Sequence, residues 1–157
     1  MKKRSVRRVA PKASAPANGD AAATEAAWSS NRSFPIVGVG ASAGGLEAFT
    51  QLLGDLPSDT GMAFVLIQHL DPTHVSFLTE ALTKATKMPV AQAEDGQEVA
   101  PNHVYVIPPN ADIGILHGLL TLLPRDDEAR KPHLPIDFFF RALAADRGNH
   151  AIGIVLS

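Results

Sequence analysis

Ser42 and His69 are the reactive side chains whose surroundings point to one chemistry. Ser42 lies in Gly40-Ala41-Ser42-Ala43-Gly44, a G-x-S-x-G pattern that follows the short apolar run Ile36-Val37-Gly38-Val39. Such a pattern puts a serine on a sharp strand-to-helix turn, where small neighbours let the backbone bend and the hydroxyl stands clear of the sheet. Ser42 is therefore the first candidate for a catalytic nucleophile. The same letters satisfy a second pattern, because Gly38-x-Gly40-x-x-Ala43 matches the G-x-G-x-x-G/A phosphate fingerprint of dinucleotide-binding folds. What ends the second strand separates the two readings: a ribose site expects Asp or Glu, a hydrolase expects a base. Met62-Ala63-Phe64-Val65-Leu66-Ile67 ends in Gln68-His69, so an imidazole stands near the place of the acid. The carboxyl ends of neighbouring parallel strands share one crevice, in which Ser42 and His69 can meet.

The other histidines have poorer settings. His74 falls in the first turn of the helix expected after the second strand, His103 and His117 at a strand edge and a turn, and His133 and His150 in loops. No His-Glu pair recurs at i,i+4, and the chain has no cysteine, so neither a metal centre, a thiol nucleophile nor a disulfide framework is expected. Nothing calls for a cofactor.

The elements that must hold this site follow from periodicity. The first strand is expected to run from about Phe34-Pro35 to Val39. From Gly44 onward Leu46, Phe49, Leu52, Leu53 and Leu56 recur on one helical face, closed by Gly54 and Pro57. After the second strand, Asp71-Pro72 reads as an N-cap with proline at the first helical position. That helix is expected to turn Phe77, Leu78, Ala81 and Leu82 inward and to pair Glu80 with Lys84 outside, stopping near Lys87-Met88-Pro89. A short strand near Val90, a turn at Asp95-Gly96 and a strand Val104–Ile107 ended by Pro108-Pro109 come next. Ile113 to Leu116 and Leu119 to Leu123 flank His117-Gly118, a two-residue hairpin connection. Residues 124–133 read as a charged loop. Pro135 opens a helix with Ile136, Phe139, Phe140 and Leu143 on one face, ended by Gly148; Phe138 to Phe140 are core and helix surface rather than a stacking platform. Ala151 to Leu156 begins another buried strand. The repeated strand-helix order predicts an α/β fold, a doubly wound, mostly parallel sheet with one antiparallel hairpin.

Composition bounds the rest. At 157 residues, 45% hydrophobic and 19% charged, the chain has room for one domain with a real core. No apolar run approaches the roughly 20 residues that span a bilayer, and a cytoplasmic protein is the expectation. The net charge of -2 is uneven: six of the 14 basic residues fall within the first twelve positions, which hold no acid. The remaining chain is strongly acidic, a poor surface for nucleic acid. Residues 1–33, basic and then rich in Ala, Ser, Pro and Asn, read as a disordered arm without the apolar core of a secretory signal; residues 34–157 read as the folded domain.

In order along the chain, Val39-Gly40-Ala41-Ser42-Ala43-Gly44-Gly45, Gln68-His69, Asp95-Gly96, Val104-Tyr105-Val106-Ile107-Pro108-Pro109 and Gly153-Ile154-Val155-Leu156-Ser157 resemble the catalytic domain of CheB-type protein-glutamate methylesterases of bacterial chemotaxis. The resemblance covers residues 34–157. Gln68-His69-Leu70-Asp71-Pro72-Thr73-His74 and Pro135-Ile136-Asp137-Phe138-Phe139-Phe140 look most like esterase modules fused to a CheR-type methyltransferase. The resemblance implies hydrolysis of glutamate γ-methyl esters on the cytoplasmic helices of chemoreceptors, with glutamine deamidation in some members. The partners it implies are those receptor helices and a CheR-type methyltransferase, fused or separate, with no nucleic acid and no membrane-embedded segment.

The family's Ser-His-Asp triad maps its serine onto Ser42 and its histidine onto His69. Its aspartate follows the strand that ends here at Ser157 and has no counterpart in this chain, so the domain is expected to be incomplete at its C-terminus; Asp112, Asp137 and Asp146 are not candidates for the role. The backbone N–H of Ala43, at a helix start, is the expected oxyanion donor. The family's frequent threonine after the nucleophile is replaced by Ala43, and no receiver domain fits in 33 residues. A nucleotide-binding module and a catalytically silent interaction domain are the alternative readings.

Overall fold

Ile36, Val37 and Val39 suit a buried pleated surface, and the chain enters its sheet there as β1 (Ile36–Ala41), buried along its whole length. The structure, a computed structural model, describes residues 34–42, 44–68, 75–124 and 134–156. Beside β1 lie β2 (Ala63–Gln68) and β7 (Ala151–Leu156), both parallel to it. Outward from β2 come β4 (Val104–Val106) and β3 (Val90–Gln92), giving a five-stranded parallel sheet in the order β3-β4-β2-β1-β7. Parallel neighbours need crossovers; α1 (Gly45–Asp55), α2 (Val75–Ala85) and α3 (Pro135–Arg147) lie in three of the connections, and residues 93–103 join β3 to β4 without a helix.

Alternation along β1 assigns the two faces. Val37, Val39 and Ala41 join Phe64, Leu66, Val104 and Val106 against Phe49 and Leu53 of α1 and Leu78 and Leu82 of α2. On the opposite face Ile36, Val65, Ile67 and Tyr105 meet Phe139 and Leu143 of α3. The β1 positions that face α3 beyond Ile36 are Gly38 and Gly40. A β-carbon at Gly38 would lie 3.0 Å from the Phe139 and Phe140 rings, and one at Gly40 would lie 2.5 Å from Ile136 Cγ2. These glycines let a helix bearing bulky side chains sit directly on the strand.

The antiparallel hairpin is β5 (Ala111–Leu116) and β6 (Leu119–Pro124), a separate two-stranded sheet packed on α3 through Ile113, Ile115 and Leu120. Its connection places His117 at φ 54° and Gly118 at φ 79°, the paired positive angles of a type I′ turn. Asp146, at the end of α3, holds this turn: Oδ1 accepts the His117 N–H at 2.6 Å and Oδ2 the Gly118 N–H at 3.1 Å. Arg147 Nε lies 3.2 Å from the same Oδ2, and both side chains are almost wholly buried. Across the hairpin, Asp95 Oδ1 accepts the Leu122 N–H at 2.8 Å, which anchors the Asp95-Gly96 turn.

The α/β architecture, the hairpin and the three helices agree with expectation, and the start expected for the second helix falls outside the described residues. Glu80 and Lys84 form the expected exposed pair at 2.9 Å, and the ammonium holds the Glu80 carboxyl below the usual carboxylate range. Three burial expectations are corrected. Leu46 is 40% exposed, because α1 turns Gly45, Phe49 and Leu53 to the sheet and Leu46 stands about 100° round from that stripe. Phe77 is 67% exposed, standing about 100° round α2 from the buried Leu78–Leu82 stripe. β7 is not fully buried: Ile154 and Leu156 pack partly against the α1 face, but Ile152 and Val155 are exposed, since among the described residues the strand pairs only with β1. Residues 1–33, the Asp71-Pro72 cap and most of the charged loop, 125–133, lie outside the described residues.

Candidate active site

β1 ends at Ala41 and α1 begins at Gly45, so Ser42 occupies the strand-turn-helix setting that the G-x-S-x-G pattern requires, with its side chain exposed. Gly44, the residue before the helix, has φ 91°, a left-handed conformation that a side chain would strain. The Ser42 carbonyl accepts the Gly45 N–H at 3.0 Å and thereby closes the turn. It also accepts a second hydrogen bond, at 3.2 Å, from Gln68 Nε2.

Gln68 is the last residue of β2 and stands in register with Ala41. Its amide lies so close beneath the turn that a β-carbon on Gly45 would be 2.9 Å from Gln68 Cδ and 2.8 Å from the Ala41 β-carbon. Gly45 is therefore required by close approach. Gln68 Oε1 is buried and has no hydrogen-bond partner among the described residues. A bare buried acceptor costs roughly 1–3 kcal/mol, so an apolar side chain would fill this space more cheaply. In the sequence Gln68 stands out only as part of Gln68-His69. The only available signal was a polar residue ending an otherwise apolar strand.

His69 and Ala43, the expected base and oxyanion donor, lie outside the described residues, as do His74, His133 and Ser157. What is described is the pair of exits that lead to positions 42 and 69. Ala41 and Gln68 are opposed on adjacent parallel strands, whose axes run about 4.8 Å apart.

The acids set aside on sequence occupy other places. Asp146 belongs to the hairpin clamp at the end of α3 that precedes β7, so it lies toward the end of the sheet where β1 begins, away from Ser42. Asp137 is exposed and paired with Arg141 at 3.3 Å. Asp112 lies in β5 of the separate hairpin. Among the remaining histidines, His103 directs Nδ1 to the Pro101 carbonyl at 2.9 Å, His117 sits at the hairpin turn, and His150 is in the 3-10 turn before β7. The phosphate-cradle reading loses its glycines: Gly38 and Gly40 lie inside β1 and are covered by α3, whereas a cradle needs them at the turn.

Residues 37–157 match the family model described as CheB methylesterase. A Yersinia pestis protein-glutamate methylesterase/protein-glutamine glutaminase is 33% identical over 125 residues, which cover 78% of this chain and 36% of that protein. A similarly named protein of Methanospirillum hungatei is 30% identical over 125 residues, 78% of this chain and 35% of the relative. The chain thus spans about a third of the length of these relatives. Among solved structures, the catalytic domain of the Thermotoga maritima CheB methylesterase superposes with a TM-score of 0.70 at 26% identity, covering 80% of this chain and 68% of that one. With its parallel sheet, exposed serine elbow and match over residues 37–157, the chain belongs to the CheB methylesterase family.

Proposed function

We propose that this chain carries the esterase site of a protein-glutamate methylesterase, with Ser42 as nucleophile, His69 as general base and acid, and the Ala43 N–H as an oxyanion donor. The observation that carries the reading is the register of Ala41 with Gln68, which brings the exit to an exposed serine beside the exit to a histidine. The names of the relatives add the substrate: a glutamate γ-methyl ester, and a glutamine amide as second substrate. On this reading Ser42 Oγ attacks the ester carbonyl as His69 takes its proton, and the tetrahedral oxyanion collapses with that proton going to the departing methoxide. Water then attacks the acyl-serine, again deprotonated by His69, and releases the carboxylate. The first turn of α1 adds a favourable field for the oxyanion.

The partners on this reading are methylated chemoreceptor helices in the cytoplasm, and a CheR-type methyltransferase, fused or separate, as the source of the ester. Among the described residues no helix is long and apolar enough to cross a membrane. Residues 34–157 form the esterase domain on this reading, and residues 1–33 an arm apart from it.

The test is methanol release from a methylated receptor fragment by the full-length protein. Ser42→Ala lowers turnover by about 10⁴-fold with an unchanged melting curve. His69→Gln has a comparable effect, while His74→Gln keeps most of the activity. A folded Ser42→Ala protein with near-normal turnover overturns the nucleophile; a dead His74 variant beside an active His69 variant overturns the base.

A further inference from the structure

We infer that Gln68 is a positioning residue that aims the oxyanion donor, an inference that rests on the esterase reading of Ser42 and deepens it. Gln68 Nε2 donates to the Ser42 carbonyl across the gap between β2 and the turn, 26 residues away in sequence. A peptide unit is planar and trans, so the N–H that follows a carbonyl points opposite to it in the same rigid plane. The N–H paired in this way with the Ser42 carbonyl is that of Ala43. Holding the Ser42 carbonyl from below therefore restrains the plane that the following donor shares with it. Donation into a carbonyl also polarises the amide on its far side, strengthening that N–H as a donor.

Three observations agree that the amide is there for this bond rather than to fill space. The Ser42 carbonyl is already satisfied by the Gly45 N–H at 3.0 Å, so the turn closes without Gln68. Gln68 Oε1 is buried with no partner among the described residues, so the side chain is used on one side only. The space beneath the turn is so tight that Gly45 has no room for a β-carbon beside the Gln68 amide, which holds amide and peptide in one arrangement. A polar group kept half-used in a tight place marks a site where structure serves something beyond stability. Gln68 does not touch the substrate; it acts through the Ser42–Ala43 peptide.

The consequence is confined to steps in which negative charge develops on the carbonyl oxygen. Losing an oxyanion donor outright costs about 10²–10³ in turnover, and loosening one that remains costs less. Gln68→Met keeps length and volume, removes the donor and also removes the bare acceptor. It is expected to lower kcat for methyl-ester hydrolysis about 10-fold to 30-fold with KM unchanged, to weaken a boronic-acid mimic of the tetrahedral adduct by the same factor, and to melt no lower than the parent. Gln68→Glu, which offers no N–H when ionised, behaves like Gln68→Met in kcat.

The experiment runs these variants beside the parent and Ser42→Ala in the full-length protein, with a phosphonofluoridate label to report Ser42 itself. A parent that labels at Ser42, with Gln68→Met reduced in kcat and in boronate affinity together, supports the inference. A parent that labels at Ser42, with Gln68→Met equal to it in kcat and boronate affinity, overturns the inference and leaves the esterase reading standing. A parent that neither labels at Ser42 nor depends on it overturns both. A Gln68→Met protein that loses stability and raises KM, with kcat intact, assigns Gln68 to packing and also overturns the inference.

Discussion

The His117–Gly118 turn and the Ser42 turn are each held from a distance by a side chain, and they are held differently. The His117–Gly118 turn of the hairpin is gripped by Asp146, which uses both carboxylate oxygens on the two turn N–H groups and lies against Arg147 in a buried setting. The Ser42 turn is gripped by Gln68, which uses one amide hydrogen, leaves Oε1 without a partner among the described residues and lies under an exposed serine. In the first turn both carboxylate oxygens are spent on backbone N–H groups and the product is rigidity. In the second a hydroxyl is presented to solvent on a backbone tightened from below. The Asp146 grip serves architecture, and an amide that spends one hydrogen beneath an exposed serine fits the positioning role proposed for Gln68.

The contrast is most exposed to failure at Asp146. Asp146→Ala removes both turn bonds and leaves Arg147 buried without that carboxylate, a change expected to lower unfolding free energy by about 3–5 kcal/mol. Denaturant unfolding measures it, and the folded fraction is expected to keep its rate of Ser42 labelling. A stable Asp146→Ala protein that has lost Ser42 reactivity would reverse the assignment of the two turns.

A smaller effect is expected at Gly40, which belongs to the strand feeding the Ser42 turn. Gly40→Ala drives a methyl into Ile136 Cγ2, an overpacking that costs about 1–3 kcal/mol. Adding Ile136→Ala is expected to recover part of the loss, because the clash and its partner are then both relieved. A double variant no less impaired than the sum of the two single variants shows that the strand does not depend on this approach.

The smallest effect is expected at Tyr105 in β4, whose hydroxyl accepts the Ala100 N–H at 2.9 Å. Burial pushes its phenol above the ordinary value of 10.0, only partly offset by that hydrogen bond. The sign follows from linkage: the folded chain keeps its proton longer than the unfolded one, so this contribution is complete below pH 10 and declines as pH rises toward the folded pKa. Tyr105→Phe is expected to cost about 1 kcal/mol at neutral pH through the lost bond. Its stability is then expected to fall less steeply than the parent's above pH 10. Since Tyr105 is the only tyrosine in the chain, parallel slopes in the two proteins would remove it as the cause.

Periodicity and punctuation made most of the local structure legible. Glycine at Gly44 and Gly118 marks backbone that turns through positive φ. Phe49 with Leu53, Leu78 with Leu82, and Phe139 with Leu143 each recur four residues apart and are buried as their spacing requires. Leu46 and Phe77 share the apolar character of those stripes and yet face solvent, because hydropathy records what a side chain prefers and not which side of the helix the neighbouring layer covers.

For the site, the serine on its turn and the polar end of β2 were readable from one segment each, since both depend on residues a few positions apart. The strand order β3-β4-β2-β1-β7, the burial of Gly38 and Gly40 under α3, the capture of the Ser42 carbonyl by Gln68 and the Asp146 grip on the hairpin were decided only by the tertiary structure. Each joins groups at least fourteen residues apart. Local sequence specifies the conformations that a segment prefers; which distant side chain reaches its backbone depends on how the layers close.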